Sequence, residues 1–170
     1  LGFIYAKLTK HCHYRKFWLN LLGTYRPIYY LYQKYLIEMA NNSEWWTAPT
    51  ESESGNLIMV TGRRDIDSFR NNPKFSIRVE VTWKYDCDAS GMPDVATSEL
   101  MEKVQDALTD AFHKDPIAVL TGIYTGDGER NWVFYTLSTN IFGRKLNEAL
   151  QSFELLPITI YCENDPEWNE

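Results

Sequence analysis

The run Phe75-Ser76-Ile77-Arg78-Val79-Glu80-Val81-Thr82-Trp83-Lys84-Tyr85 decides the fold. Apolar side chains at Phe75, Ile77, Val79, Val81, Trp83 and Tyr85 alternate with Ser76, Arg78, Glu80, Thr82 and Lys84. Successive side chains of a strand point to opposite faces, so a period of two predicts a strand with one buried face and one polar face. Asp86-Cys87-Asp88-Ala89-Ser90-Gly91-Met92-Pro93 reads as the loop that ends it.

Downstream the period changes. From Thr97, the residues Leu100, Met101, Val104, Ala107, Leu108, Ala111 and Phe112 recur at helical spacing, with Glu99, Glu102, Lys103, Gln105, Asp106 and Asp110 on the other side. Thr97 or Ser98 is the expected N-cap, and Asp115-Pro116 the expected stop. Ile117–Tyr124 reads as a strand, Gly126-Asp127-Gly128 as a hairpin turn, and Asn131–Leu137 as the returning strand. A second helix, capped by Asn140, carries Ile141, Phe142, Leu146, Leu150 and Phe153. Leu155–Tyr161 is the last strand, and Glu163–Trp168 reads as a polar tail. Upstream, Leu57–Thr61 is a short apolar strand, expected at the sheet edge. Arg63–Pro73 is a charged loop with a helical turn around Phe69, and Trp45–Gly55 is an arm whose tryptophans seal one end of the core.

From Phe75 the order is therefore β-α-β-β-α-β. Two βαβ crossovers joined by a hairpin predict an α+β, ferredoxin-like split βαβ plait over residues 75–162: an antiparallel sheet, both helices on one face, one extra N-terminal strand. Its expected buried positions include Ile77, Val79, Val81, Val104, Leu108, Phe112, Val119 and Leu146.

Residues 1–38 differ in kind. They hold six Lys/Arg against one acid, for a charge of +5, and seven of the eleven tyrosines; residues 39–170 carry −11. Three readings stand side by side: upstream sequence that does not belong to the folded protein and is dispensable, a basic aromatic helix lying on a membrane surface, or a packed element. Residues 39–170 form the single α+β domain. No stretch approaches the roughly 18 unbroken apolar residues of a membrane span, so a soluble, cytoplasmic protein is expected. The acidic body disfavours phosphate backbones, because nucleic-acid affinity rests on cations that release counterions. Cys12, Cys87 and Cys162 form no CxxC pair; free thiols are expected, with a Cys87–Cys162 bridge as the alternative.

The sequence holds no GxSxG, HExxH, P-loop or GxGxxG motif. His11, Cys12 and His13 lack the spacing of a zinc site, and Asp86, Asp88 and Asp94 lack that of a calcium loop. His113 falls at the end of the first long helix, where it meets the helix dipole. No catalytic residue, metal or cofactor is assigned.

From Trp45 onward the chain resembles an uncharacterised bacterial family, domain of unknown function 695. The resemblance rests on Gly91-Met92-Pro93 before the first long helix, on Gly126-Asp127-Gly128 leading through Arg130 to Phe134-Tyr135, and on Asp165-Pro166-Glu167-Trp168. It covers about three-quarters of the chain. Some members look to be joined to a second domain similar to the ribonuclease E regulator B family, which implies regulation through protein binding; the sequence up to Glu170 holds no such domain. The family has no established activity, catalytic residue or cofactor to carry over.

A plait leaves one sheet face without helices. Arg78, Glu80 and Lys84 are expected on that face, beside an aromatic from Trp132/Phe134 or from Val133/Tyr135/Leu137. The expected surface of Arg78, Glu80, Lys84, Trp132 and Tyr135 suits a protein partner or a second copy of the chain better than RNA. The alternative is a small-molecule sensor or hydrolase that meets an anion through Arg63, Arg64 and Arg130.

Overall fold

The structure, a computed structural model, describes residues 45–114 and 117–169. Strand β1 (Trp45–Glu51) and strand β2 (Leu57–Arg63) form a hairpin; the short helix α1 (Asp67–Arg70) follows, then strand β3 (Ile77–Lys84) and helix α2 (Val95–Lys114). Strands β4 (Ala118–Gly126) and β5 (Glu129–Thr136) make a second hairpin, succeeded by helix α3 (Thr139–Leu150) and strand β6 (Ile158–Asn164). All six strands join one antiparallel sheet in the order β1-β2-β4-β5-β3-β6. The fold is α+β.

The alternation in β3 is the scaffold of the core. Val79, Val81 and Trp83 bury on the side that α2 and α3 cover, where they meet Met101, Val104, Leu108 and Phe112 of α2 and Phe142 and Leu146 of α3. Leu120 and Ile123 from β4 and Trp132 and Phe134 from β5 complete this cluster. Each fully buried large apolar side chain contributes about 1.5–3 kcal/mol. The rings of Phe112 and Phe142 stack at 4.8 Å, and Phe134 meets Phe142 edge-on at 5.2 Å. Of the expected core positions, Ile77 is only half-buried and Val119 packs elsewhere; the others are buried in this cluster.

Several expectations need correcting. The arm at Trp45–Glu51 is a strand, so among the described residues the sheet has six strands and β2 lies inside its edge. Pro49 masks this strand in the sequence, but at an edge its missing N–H faces outward and interrupts no ladder. Helix α2 starts one turn earlier than expected: the Asp94 carboxylate, not Thr97 or Ser98, accepts from the Thr97 N–H at 2.7 Å. Ser138, not Asn140, caps α3. The polar tail folds back, burying Asp165 and Trp168. Residues 1–38, with His11, Cys12 and His13, and the stop at Asp115-Pro116 lie outside the described residues. Among the described residues, no helix is long and apolar enough to cross a membrane. Cys87 and Cys162 are both free and exposed.

Candidate functional site: the helix-free face of the sheet

Strand register assigns the face opposite the helices row by row. One row runs Trp46, Gly62, Gly122, Val133, Glu80, Tyr161 across all six strands. The next runs Ala48, Val60, Tyr124, Asn131, Thr82, Thr159, and a third Thr50, Ile58, Gly126, Glu129, Lys84. On the far side of the first lies the row Val119, Tyr135, Arg78, Glu163.

That last row is closed. Trp168 stacks on Tyr135 with ring centroids 3.7 Å apart, and its indole N–H donates to the Phe75 carbonyl at 2.8 Å. The Tyr135 hydroxyl donates to Asp165 at 2.6 Å, and the Asn169 backbone and side-chain amides donate to the same carboxylate. These bonds, Tyr135's first, hold the Asp165 carboxyl below its ordinary range. Phe75, Val119, Ile66 and Phe69 fill a second, smaller core beneath.

In the remaining rows Val133, Gly62, Gly122 and Gly126 are buried, Tyr124, Asn131, Thr82 and Glu80 are half-buried, and Trp46, Lys84 and Tyr161 are exposed. A Cβ on Gly62 would fall 2.5 Å from the Trp46 ring, and one on Gly122 would fall 3.1 Å from Tyr124. The two glycines therefore let both aromatic rings lie flat on the sheet. Beside them the Thr82 hydroxyl donates to Asn131 at 2.6 Å, and Asn131 donates to Glu129 at 3.0 Å. Arg78 bridges Glu80 at 2.8 Å and Glu163 at 3.2 Å. At the hairpin end, Ile58, Tyr124, Gly126, Asp127, Glu129 and Asn131 line an open depression of about 300 Å³. Ser54 and Asn56 donate to Asp127, Asn56 more strongly, and hold its carboxyl below the usual value.

Of the expected surface, Arg78, Glu80 and Lys84 are on this face. Tyr135 faces it too but is buried under Trp168. Trp132 is misplaced by the sequence reading: it is fully buried on the helix side, where its indole N–H reaches Gln105 at 3.3 Å. Sequence alone could not choose, because β5 is apolar on both sides. Trp46 and Tyr124 were missed, and their only signal is a glycine on the neighbouring strand or two residues earlier.

The three arginines do not converge. Arg63 is gripped by Asp65 through two bonds of 2.6 and 2.8 Å, which lower the Asp65 pKa. Arg130 belongs to the helix side, over the Trp132 ring at 5.4 Å. By register it is four residues, roughly 13 Å along the strands, from the level of Arg63. Arg64 is exposed. His113 is exposed in the last turn of α2, and Asp88 accepts from the Ser90 N–H at 2.8 Å within its own loop. Among the described residues, no group of His, Cys, Asp and Glu is arranged to hold a metal ion.

The short signatures in the loops have structural roles. Gly91, at φ +77°, packs so closely that a Cβ would sit 2.8 Å from the Asp127 backbone nitrogen, and its carbonyl accepts from Gly128 N–H and from the Tyr85 hydroxyl. The loop before α2 and the β4–β5 turn are thereby one unit. Burial there pushes the Tyr85 phenol pKa well up.

The sequence profile of a family of unknown function, DUF695, matches residues 44–170. No curated protein and no solved structure matches the chain.

Proposed function

The chain belongs to the DUF695 family, and from that premise we propose that it is a non-enzymatic binding module that engages a protein partner through the helix-free face. The observation that carries this reading is the row Trp46-Gly62-Gly122, with Trp46 and Tyr124 lying flat over β2 and β4, while the ion-paired Arg78 and Glu80 sit on the same face on β3, across β5. Tryptophan, tyrosine and arginine dominate the energetics of protein interfaces, because each buries a large area at low entropic cost. The depression of about 300 Å³ beside Tyr124 is only partly enclosed, which suits a protein contact better than full enclosure of a small ligand. Its carboxylates, Asp127 and Glu129, oppose an anion. The four strands β4-β5-β3-β6 with α2 and α3 are read as a ferredoxin-like plait, extended by the β1–β2 hairpin; strand order and the shared helix face support this. The two exposed free thiols support a reducing, cytoplasmic setting.

The test is reconstitution. A partner captured on the wild-type chain is purified and its affinity measured against Trp46→Ala, Tyr124→Ala and Arg78→Glu, with Glu102→Lys on the outer side of α2 as control. Face variants are expected to weaken binding at least about tenfold, or roughly 1.4 kcal/mol, and the control to leave it unchanged. Equal binding by all four rejects the face. A thermal-shift screen against anionic metabolites tests the rival anion reading, since a ligand of the native state raises its stability. A hit abolished by Arg130→Ala would favour that reading.

A further inference from the structure

The two edges of the sheet are protected unequally. Edge β1 contains Pro49 and ends on Glu51. Edge β6 reads Ile158-Thr159-Ile160-Tyr161-Cys162-Glu163-Asn164, with no proline and one charge. Every residue from Thr159 to Asn164 is exposed, Ile160 and Tyr161 among the largest exposed apolar side chains, and Leu155 just before the strand is fully exposed. Among the described residues, β3 is the one strand that pairs with it. A seven-residue edge rich in β-branched side chains, without proline or lysine, is a template for another strand.

The direction of its backbone groups follows from the ladder. The Asp165 N–H donates to the Ser76 carbonyl at 2.8 Å, continuing the β3–β6 register. In an antiparallel pair the hydrogen-bonded positions alternate. Residues 159, 161 and 163 therefore spend their backbone groups on β3, while Ile160, Cys162 and Asn164 present theirs outward.

We infer that β6 is the dimerisation edge of this protein and that it pairs antiparallel with β6 of a second copy across a twofold axis at Tyr161. This inference is independent of the partner-binding face. In that register all seven residues find a partner. Ile160 lies opposite the second copy's Cys162, Thr159 opposite its Glu163, and the two Tyr161 rings face each other on the helix-free side. No like charges oppose, and Arg78 already bridges Glu163 at 3.2 Å. A second copy fits better than a foreign strand because the pattern is self-complementary and because the pairing closes. The joined sheet would end at both outer limits on β1, where Pro49 blocks further growth. An isologous contact of this kind terminates at two subunits, whereas an open edge at both ends would run into fibres.

The test is the mass of the full-length chain in solution, by light scattering and sedimentation, at concentrations up to about 0.1 mM. The wild type is expected to be a dimer. Ile160→Pro removes one outward N–H, which the subunit's own ladder does not use, and Cys162→Lys places a charge at the edge. Each is expected to weaken dimerisation at least about 30-fold, or roughly 2 kcal/mol, with unchanged circular dichroism. Register is read from Tyr161→Cys with the natural cysteines replaced by serine. Facing Cα atoms in a non-hydrogen-bonded pair, ~4.5 Å apart, lie within disulfide reach, so oxidation should give a covalent dimer, and Thr159→Cys should not. A monomeric wild type, with or without exchange protection of the Ile160 and Cys162 amides, overturns the inference; protection in a monomer would mean that the chain covers its own edge. A dimer that survives both edge variants overturns it equally.

Discussion

Phe134 and Tyr135 are neighbours in the chain and are both almost wholly buried, yet they are buried by different means. Phe134 points to the helix side, where Phe112 at 5.2 Å and Phe142 at 5.2 Å enclose it within a large aromatic and aliphatic core. Tyr135 points the other way, to the face opposite α2 and α3, where the tail residues Asp165 and Trp168 bury it within a small cluster that also holds Phe75, Val119 and Phe69 of α1. Among the described residues, one face is closed by two long helices, and the other is closed at one end by the tail turn together with Ile66 and Phe69 at α1. The first closure is nonlocal but redundant; the second depends on a stack and a few hydrogen bonds.

The largest expected effect tests the redundant side. Phe134→Ala removes a ring from the centre of the main core and should cost about 4 kcal/mol, the cavity adding to the lost transfer energy. Denaturant unfolding followed by far-UV circular dichroism would read it. A loss under about 1.5 kcal/mol would mean that the core collapses around the gap, and that the helix side is less tightly packed than its contacts imply.

Trp168→Ala comes next. It removes the stack on Tyr135 and the bond to the Phe75 carbonyl, but at the margin of the fold, where neighbours can settle. About 2–3 kcal/mol is expected, below the usual cost of a central tryptophan. Limited proteolysis should then cut the tail before the sheet unfolds. If Trp168→Ala cost as much as Phe134→Ala, the distinction between the two closures would fail.

Tyr135→Phe keeps the ring and removes the hydroxyl. Losing a hydrogen bond to a carboxylate should cost about 1.5 kcal/mol at neutral pH. The sign of its pH dependence follows from Asp165, whose folded-state pKa lies below the ordinary 3.8. The carboxylate's contribution is full above that value and is lost as pH falls through the lower folded one. Wild type should therefore lose more stability than Tyr135→Phe when acidified below about pH 4, and the two curves should approach each other. Parallel curves would show that the hydroxyl bond does not favour the ionised form.

These differences track what was legible in the sequence. The β3 alternation and the helical spacing of α2 are local patterns with one strong period, so both elements and most of the core could be read directly. Strand β5 has no period, since Trp132, Val133, Phe134 and Tyr135 are all apolar; the choice of face is made by register with β3 and β4. Strand β1 was hidden by Pro49, harmless at an edge. Trp168 was hidden by its polar neighbours, because its burial depends on Asp165 meeting Tyr135, thirty residues upstream. The candidate surface was legible only in its charged members, Arg78, Glu80 and Lys84. Gly62 and Gly122 align across β2 and β4 only once the sheet exists, so the aromatic floor they permit left no mark in the linear order.

The smallest expected effect concerns that floor. Trp46 is 38% exposed, lies on an edge strand and rests on Gly62, whose missing side chain leaves room for the ring. Trp46→Ala opens no enclosed cavity, and the backbone ladder with β2 is untouched. A stability cost below about 1 kcal/mol is expected, close to that of an ordinary surface substitution. The same substitution is expected to weaken binding of a partner at the helix-free face at least tenfold, roughly 1.4 kcal/mol. An aromatic that the fold can spare but the partner cannot is the mark of a binding surface. If Trp46→Ala instead unfolded the chain as Trp168→Ala is expected to loosen it, Trp46 would be a third closing device and the open face would shrink to its charged half.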